Sequence, residues 1–520
     1  VPPTSLPLAD WAVVGVYFLA VLAVGLMVAP GQKSTRDYFL GGRSVPWWAA
    51  ALSIIATETS AVTYIGTPAK AFRGDWSFLQ MVFGFVAARL FLAYFFVPAF
   101  FREEFITVYG LLERRFGRPA RVAAAVLFLL GRIVASGVRL YAGCLALEVA
   151  AGLSLRDAVL VTAGFGTFYT LAGGIRAVVW TDVLLGITFV VGGLLAAAHL
   201  AANVPGGIGG LLADPALAPK LNIFHLAGSP WSADALVTGL IGGFALTLAT
   251  HGTDQDIAQR ILTCRDARGG GSSLIASAFM ILPLMALFLA IGTLLFFHYQ
   301  GRDPGYALPA DPNHVFPFYI VRELPLGLRG LVIAGLLAAS LSSFSSVLNA
   351  LASTLVTDFY RPLRERAGRV PSEEHLVRVS RTATLTCGVV LAAVALAFRG
   401  SSASVLDVAL KALTYFYGAL LGVFLLALFS RRGTSASAVA GMAASVPVVL
   451  LLQLREWQAQ PAAAPEALRR FVTALPEAFR AIPAVPWPWW TVIGAAIAFA
   501  VGCAARVSPS PPGAPAGARP

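Results

Sequence analysis

Apolar residues come in long runs separated by short polar stretches over almost the whole chain. A run of roughly 18 or more such residues is long enough to cross a bilayer as a helix. The pattern predicts thirteen spans, near 8–30, 46–70, 75–101, 119–151, 155–173, 178–202, 233–262, 273–299, 328–360, 379–398, 404–430, 434–453 and 487–505. The fold class is therefore all-α, a polytopic membrane protein of about 13 transmembrane helices. Two predicted spans are interrupted by polar residues. In 51–68, reading ALSIIATETSAVTYIGTP, the polar group is Thr57, Glu58, Thr59, Ser60, Thr63 and Gly66-Thr67-Pro68; in the seventh span it is Thr247, Thr250, His251, Gly252, Thr253, Asp254 and Gln255. Hydroxyls and a carboxylate at membrane depth are costly unless something there uses them. Bare backbone at a helix break is tolerated only inside protein or beside a water-filled cavity.

The two interrupted spans begin corresponding blocks of five, the second to sixth and the seventh to eleventh, which start on opposite sides of the membrane. Broken helices in corresponding positions of inverted halves point to a transport site near the midplane. The expected organisation is a first span and cytoplasmic loop in 1–45, a first repeat in 46–202, an external loop in 203–232 and a second repeat in 233–430. Two peripheral spans with a further external loop occupy 431–505, and 506–520 is a Pro/Gly/Ala-rich cytoplasmic tail expected to be disordered.

Composition agrees: of 520 residues 58% are hydrophobic and 12% charged, with a mean hydropathy of +0.76. The net charge of +12 does not indicate nucleic acid, because the basic residues sit in short loops between apolar spans. Of the 38 Lys and Arg, 22 fall on one side and 12 on the other, while Arg89, Arg132, Arg139 and Lys411 fall inside spans. The richer side is cytoplasmic, which places the N-terminus outside and the C-terminus in the cytoplasm of a cell (plasma or inner) membrane. Trp487, Trp489 and Trp490 are expected to anchor the last span at the bilayer surface. The four cysteines are scattered, without metal-like spacing.

A third informative stretch is Gly335 to Tyr360, GLLAASLSSFSSVLNALASTLVTDFY. Ser342, Ser346 and Asn349 fall on one helical stripe. Hydroxyls and carbonyls are hard oxygen donors suited to Na⁺, although small residues also serve close helix packing.

With these residues in view the chain resembles the sodium:solute symporter family, whose members share the LeuT-like 5+5 inverted-repeat fold. The resemblance runs from Asp37 to about Ser430 and rests on DYFLGGRSVPWW, TETSAVTYIGTP, YGLLERRFGRPAR, YTLAGGIRAVVWTDV, GTDQDIAQRILTCRDAR and SLSSFSSVLNALASTLVTDFYRP. It implies a principal Na⁺ site from the carbonyls of Ala56, Thr59 and Ala339 and the hydroxyls of Ser342 and Ser343. It implies a possible second Na⁺ site from Asp182, Ser345 and Ser346, with an ion pair between Asp182 and Arg176 as the competing reading. For the solute it implies Glu58, Ser60, Thr63, Gln80, His251, Asp254 and Arg132. Arg139 lies seven residues from Arg132 on the same helix face, and the two could hold a carboxylate or pair with acids inside the bundle.

The function implied is sodium-coupled import of a small polar organic solute by alternating access, with Na⁺, the solute and the lipid bilayer as partners and no nucleic acid. Glu58, Gln80 and His251 compose a hydrogen-bonding pocket without an evident unpaired cation, which favours a sugar or amino sugar. An organic anion, a monocarboxylate or an amino acid is the alternative. A membrane sensor or an intramembrane enzyme is the reading of another class, and neither HExxH, a Cys/His cluster nor a nucleophile elbow is present to support an enzyme. The sequence sets no oligomeric state.

Overall fold

A computed structural model describes residues 6–28, 34–102, 105–226, 229–300, 308–397, 405–464 and 466–504. The tail expected at 506–520 lies outside the described residues. Among the described residues all regular structure is helical. The principal helices are α1 (Leu8–Val28), α2 (Trp47–Glu58), α3 (Ala61–Arg73), α4 (Phe78–Phe101), α5 (Arg118–Ala151), α6 (Leu155–Ala202) and α7 (Leu236–Gly252). They continue with α8 (Gln255–Leu262), α9 (Ala267–Tyr299), α10 (Leu328–Thr354), α11 (Glu373–Ala397), α12 (Val405–Phe429), α13 (Ser435–Ala459) and α14 (Pro488–Ala504).

Among the described residues nine helices are long and apolar enough to cross a membrane, and eleven spans result when the bent pairs α2/α3 and α7/α8 are each counted as one. The predicted thirteen are not reached by this measure. α6 runs through a break at Gly174 (φ 54, ψ −155), and only its part Gly173–Ala202 qualifies. α14, with 17 residues, is shorter than any of the helices that qualify alone.

The two bends are nearly equal, 62° between α2 and α3 and 61° between α7 and α8. Each is built by its own polar residues. Thr59 adopts an extended conformation (φ −79, ψ 96), and the Ser60 hydroxyl accepts from the Val62 amide to start α3. Asp254 does the same for α8, accepting from the Asp256 amide at 2.8 Å. A side chain that accepts from the second amide of the following helix satisfies a donor that would otherwise be stranded. The break therefore falls at Thr59–Ser60 and not at Gly66-Thr67-Pro68, where α3 continues through Pro68.

α10 is the central element: 94% of its most apolar window is buried, against 22% for the peripheral α1. It packs along α6 and crosses α2, α3, α5 and α8. α4 and α7 approach closely because glycines face backbone, so that a Cβ on Gly84 would lie 2.4 Å from the Leu240 carbonyl and one on Gly243 2.3 Å from that of Met81. Such small-residue contacts suit helices that gain little from apolar burial in lipid. The connection 203–232 is tied to the end of α3, where Lys220 Nζ donates to the carbonyls of Ala71 (3.1 Å) and Phe72 (2.7 Å). Trp490 departs from the expected surface position: it is fully buried against Val449 and Leu452 and donates to the Val485 carbonyl.

Candidate functional site

The α2/α3 break frees backbone carbonyls, since a helix that stops leaves its last carbonyls without amide partners. Thr59 turns both its amide (2.9 Å) and its hydroxyl (2.5 Å) back to the Ile55 carbonyl. α10 meets this break directly: Ser343 donates to the Thr57 carbonyl at 3.1 Å. Ala56, Thr59, Ala339, Ser342 and Ser343 are all buried around this contact. Carbonyl and hydroxyl oxygens from two helices converge there, a donor set that fits Na⁺.

One turn deeper lies Asp182 of α6, fully buried. It accepts from Ser342 (2.6 Å) and Ser53 (2.5 Å) and pairs with Arg260 Nη2 at 3.1 Å. Ser346 receives the Arg260 guanidinium and shares a hydrogen with Thr57 Oγ1 at 3.1 Å, whereas Ser345 turns back to the Ser342 carbonyl at 3.2 Å. The structure thus replaces the alternative Asp182–Arg176 pair by Asp182–Arg260. Arg260 also corrects the loop count, because it is not a loop cation but a fully buried residue of α8. Removing it leaves the charge bias between the two sides intact.

Above this cluster α2, α3, α5 and α7 enclose a central cavity of about 70 Å³. Its polar lining includes Glu58, Ser60, Thr63, Thr247, Thr250, His251, Arg132 and Arg139, with Phe78, Phe85 and Met285 among the apolar walls. Glu58 is not unpartnered. Its carboxylate pairs with the fully buried Arg89 of α4, which also donates to the Ser277 carbonyl at 2.7 Å. His251 bonds Thr250 at 3.0 Å through Nδ1, and its Nε2 lies 3.8 Å from Glu58.

The two arginines of α5 separate. Arg132 pairs with Asp254 at 3.0 Å and with Asp256 at the cavity floor. Arg139, two turns along, makes no hydrogen bond or ion pair among the described residues and lines the cavity. The expectation that no cation is left unpaired is therefore overturned, because Asp254 and Asp256 pair with Arg132 and Glu58 on the cavity wall pairs with Arg89.

Two other expected solute residues are placed elsewhere. Gln80 is not among the cavity-lining residues; its amide donates to the Ser77 and Asp234 carbonyls, both at 3.1 Å, and its Oε1 accepts from the His225 amide. It pins the 203–232 connection. Asp254 caps α8 beneath the cavity and accepts from Tyr417 at 2.6 Å.

The cavity is bounded unequally. Phe78 lines both it and a wider vestibule of about 480 Å³ that also includes Lys70, Arg73, Asp75, His225 and Asp234. The opposite side is thick. There Arg132, Asp254, Asp256 and Arg260 form one buried network, and Tyr109 reaches the Thr253 carbonyl at 3.1 Å. Sequence reasoning missed Arg89, Ser53, Asp256, Arg260 and Tyr417. A cation inside a span that needs a counter-charge was the available signal for Arg89, and the i, i+4 spacing of Asp256 and Arg260 the signal for that pair.

Comparisons with known proteins agree with this geometry. The family model described as the sodium:solute symporter family matches residues 38–444. The sodium/sialic acid symporter NanT of Aliivibrio fischeri is 32% identical over 437 residues, covering 84% of this chain and 85% of its own. Sodium-coupled monocarboxylate transporter 1 of Xenopus laevis is 30% identical over 443 residues, covering 84% of this chain and 69% of its own. Among solved structures, the substrate-bound outward-open state of a Na⁺-coupled sialic acid symporter matches with a TM-score of 0.83 at 28% identity, over 96% of this chain and 97% of that one. The LeuT-like fold, the multi-pass membrane location and sodium-coupled movement of a small solute follow. This chain belongs to the sodium:solute symporter family.

Proposed function

We propose that the solute carries a carboxylate and several hydroxyls, as an acidic amino sugar of the sialic acid type does, and that it enters together with Na⁺. The single observation that carries this reading is Arg139, a guanidinium facing the central cavity without an acid of its own among the described residues. A planar guanidinium can hold a carboxylate through two parallel hydrogen bonds. The hydroxyls of Ser60, Thr63, Thr67, Thr247 and Thr250 supply more partners than a short monocarboxylate needs. That hydroxyl wall favours the acidic sugar over the monocarboxylate suggested by the second relative.

In this reading Glu58 is structural, Ser60, Thr63 and His251 contact the solute, and Arg132 shapes the cavity floor. Ala56, Thr59, Ala339, Ser342 and Ser343 hold the principal Na⁺. Asp182, Ser345 and Ser346 hold a second one, for which Arg260 must release part of Asp182. The repeats 46–202 and 233–430 move against each other, and Phe78 is the thin partition that the solute passes. The vestibule faces outward, with the N-terminus outside and the C-terminus in the cytoplasm, as the loop charges imply.

Thermal melting of the purified protein in Na⁺ or K⁺ tests the solute class. N-acetylneuraminic acid should raise the melting temperature in Na⁺ alone, its methyl ester and glucose should not, and lactate should act weakly. Arg139→Ala should abolish the shift. Equal stabilisation by the ester, or an undiminished shift in the variant, would remove Arg139 from the solute site.

A further inference from the structure

We infer that the polar stripe of α10 beyond the sodium site is the path by which Na⁺ leaves toward the cytoplasm, with the Asn349 side chain as its first station. The inference rests on the principal sodium site proposed at Ser342 and Ser343. Ser342, Ser346, Asn349 and Ser353 recur at i, i+4, i+7 and i+11, one face of the helix.

The observation that turns this stripe into a site is Asn349. It is fully buried, and neither its amide oxygen nor its amide nitrogen has a hydrogen-bond partner among the described residues. Each such group left unsatisfied costs about 1–3 kcal/mol, a penalty that a visiting polar species relieves.

Asn349 is not alone. Thr354 Oγ1 and Asp358 Oδ2 are likewise buried and unpartnered, as is Gln259 Oε1 on α8, which packs against α10. All the unpartnered buried atoms found on α10 and its continuation therefore lie past Ser346, on the side away from the vestibule. With a rise of about 1.5 Å per residue, Asn349 stands about 4.5 Å beyond Ser346, a single step for an ion that exchanges one oxygen for the next.

The path has an end. After Thr354 the helix widens into a π segment, Leu355–Tyr360, a feature that often marks functional positions. There Asp358 Oδ1 accepts from Thr107 (2.7 Å) and from Arg121 Nε (2.7 Å). Thr107, Arg121 and Thr357 line a second cavity of about 390 Å³. The route thus runs from Ser342 and Ser343 down the stripe past Ser346, Asn349 and Ser353, then turns about 100° round the helix to Thr354 and Asp358, where Arg121 closes it. Amide, hydroxyl and carboxylate oxygens in series suit a partly hydrated Na⁺.

The test uses the full chain in sided proteoliposomes. Solute uptake is measured against external Na⁺, and its inhibition against Na⁺ inside. Asn349→Leu, which keeps the volume and removes the oxygen, should lower turnover about tenfold while the external Na⁺ giving half-maximal uptake changes less than twofold. Asn349→Asp should retain the ion, so that several-fold less internal Na⁺ inhibits. Wild-type turnover and wild-type internal inhibition in both variants would overturn the path, as would equal shifts in external and internal Na⁺ dependence. If Asn349→Leu does not fold, Asn349→Asp decides by its internal Na⁺ dependence alone. Failure of the sodium site itself reads out differently, as an external Na⁺ dependence left unchanged by Ser343→Ala.

Discussion

Glu58→Gln separates a structural carboxylate from a solute ligand. The Arg89 side chain is wholly buried while that of Glu58 is 16% exposed, and the other acceptors of Arg89 are the Ser277 carbonyl at 2.7 Å and hydroxyl at 3.3 Å. Removing the charge from Glu58 leaves a buried guanidinium held by neutral groups, and breaking a buried pair from one side costs about 3–5 kcal/mol. Arg89→Met strands instead a carboxylate that borders the cavity and has the His251 ring 3.8 Å away, so its cost should fall at the lower end, about 3 kcal/mol. The double variant replaces the pair by neutral groups and should recover most of the loss, giving a coupling of about 2–3 kcal/mol in a double-mutant cycle. Denaturation of the purified protein in detergent, followed by tryptophan fluorescence, measures all three. Single variants as stable as the wild type, with no coupling, would refute the pairing. The double variant should still show a Na⁺-dependent shift on adding solute, and loss of that shift would return Glu58 to the list of solute ligands.

Ser343→Ala removes a hydroxyl at the α2/α3 break; half-maximal uptake should need about tenfold more Na⁺, about 1.4 kcal/mol, with little change in melting, and an unchanged Na⁺ dependence would take Ser343 out of the site. Asp182→Asn should reduce the ratio of ²²Na⁺ to solute flux from two to one, and a wild-type ratio of one would eliminate the second site at the outset. The tie between Asp75 and His225, 2.6 Å long, makes a pH prediction. Burial pushes the Asp75 carboxyl up, but bonds from Ser77 and His225 outweigh it and leave it below its ordinary value. A depressed carboxyl stabilises above its unfolded value, about 4, and that contribution disappears only as pH falls through the lower folded value. Proteolysis of the 203–232 connection should therefore be flat from pH 8 to about 4 and rise below; a rise between pH 7 and 5 would contradict the sign.

What was legible in the sequence was the position of the expensive groups. The hydroxyls and carboxylate of 57–63 and the polar run of 247–255 cannot sit in hydrocarbon without use, and both proved to be helix breaks. What was not legible was who satisfies whom. Glu58 finds Arg89 across 31 residues, and Asp182 finds Arg260 across 78. Arg260 was counted with a loop because it stands at the very end of the predicted span 233–262, where the apolar pattern does not separate a span's last turn from the connection that follows. Gln80 was placed in the pocket by the family resemblance, yet its helix turns the amide toward the 203–232 connection. Arg132 and Arg139 share a helix face, but only the relative height of α5 and α8 decides which one meets Asp254 and Asp256. The extra residue at the π segment leaves no mark in an apolar pattern.

The buried network also suggests why solute and sodium sites should depend on each other. Arg132 at the cavity floor holds Asp256, Asp256 holds Arg260 at 2.7 Å, Arg260 holds Asp182 at 3.1 Å, and Asp182 holds Ser342 at 2.6 Å. Every link is buried, so each charge is committed to its neighbours, and a change at one end must be compensated at the next. An Na⁺ that engages Ser342 and Asp182 competes with Arg260; the guanidinium it displaces has Asp256 as its nearest acid, and Asp256 is the residue that fixes Arg132. Asp256 therefore bonds both Arg260, beside the proposed sodium cluster, and Arg132 at the cavity floor. Coupling between sites is a free energy, typically 1–3 kcal/mol, and its physical basis is an element whose arrangement both ligands bias. In the proposed two-site reading α8 is the element placed to do this: with its cap Asp254 it presents Asp254, Asp256 and Arg260 within seven residues, and it follows α7 through a bend of 61°.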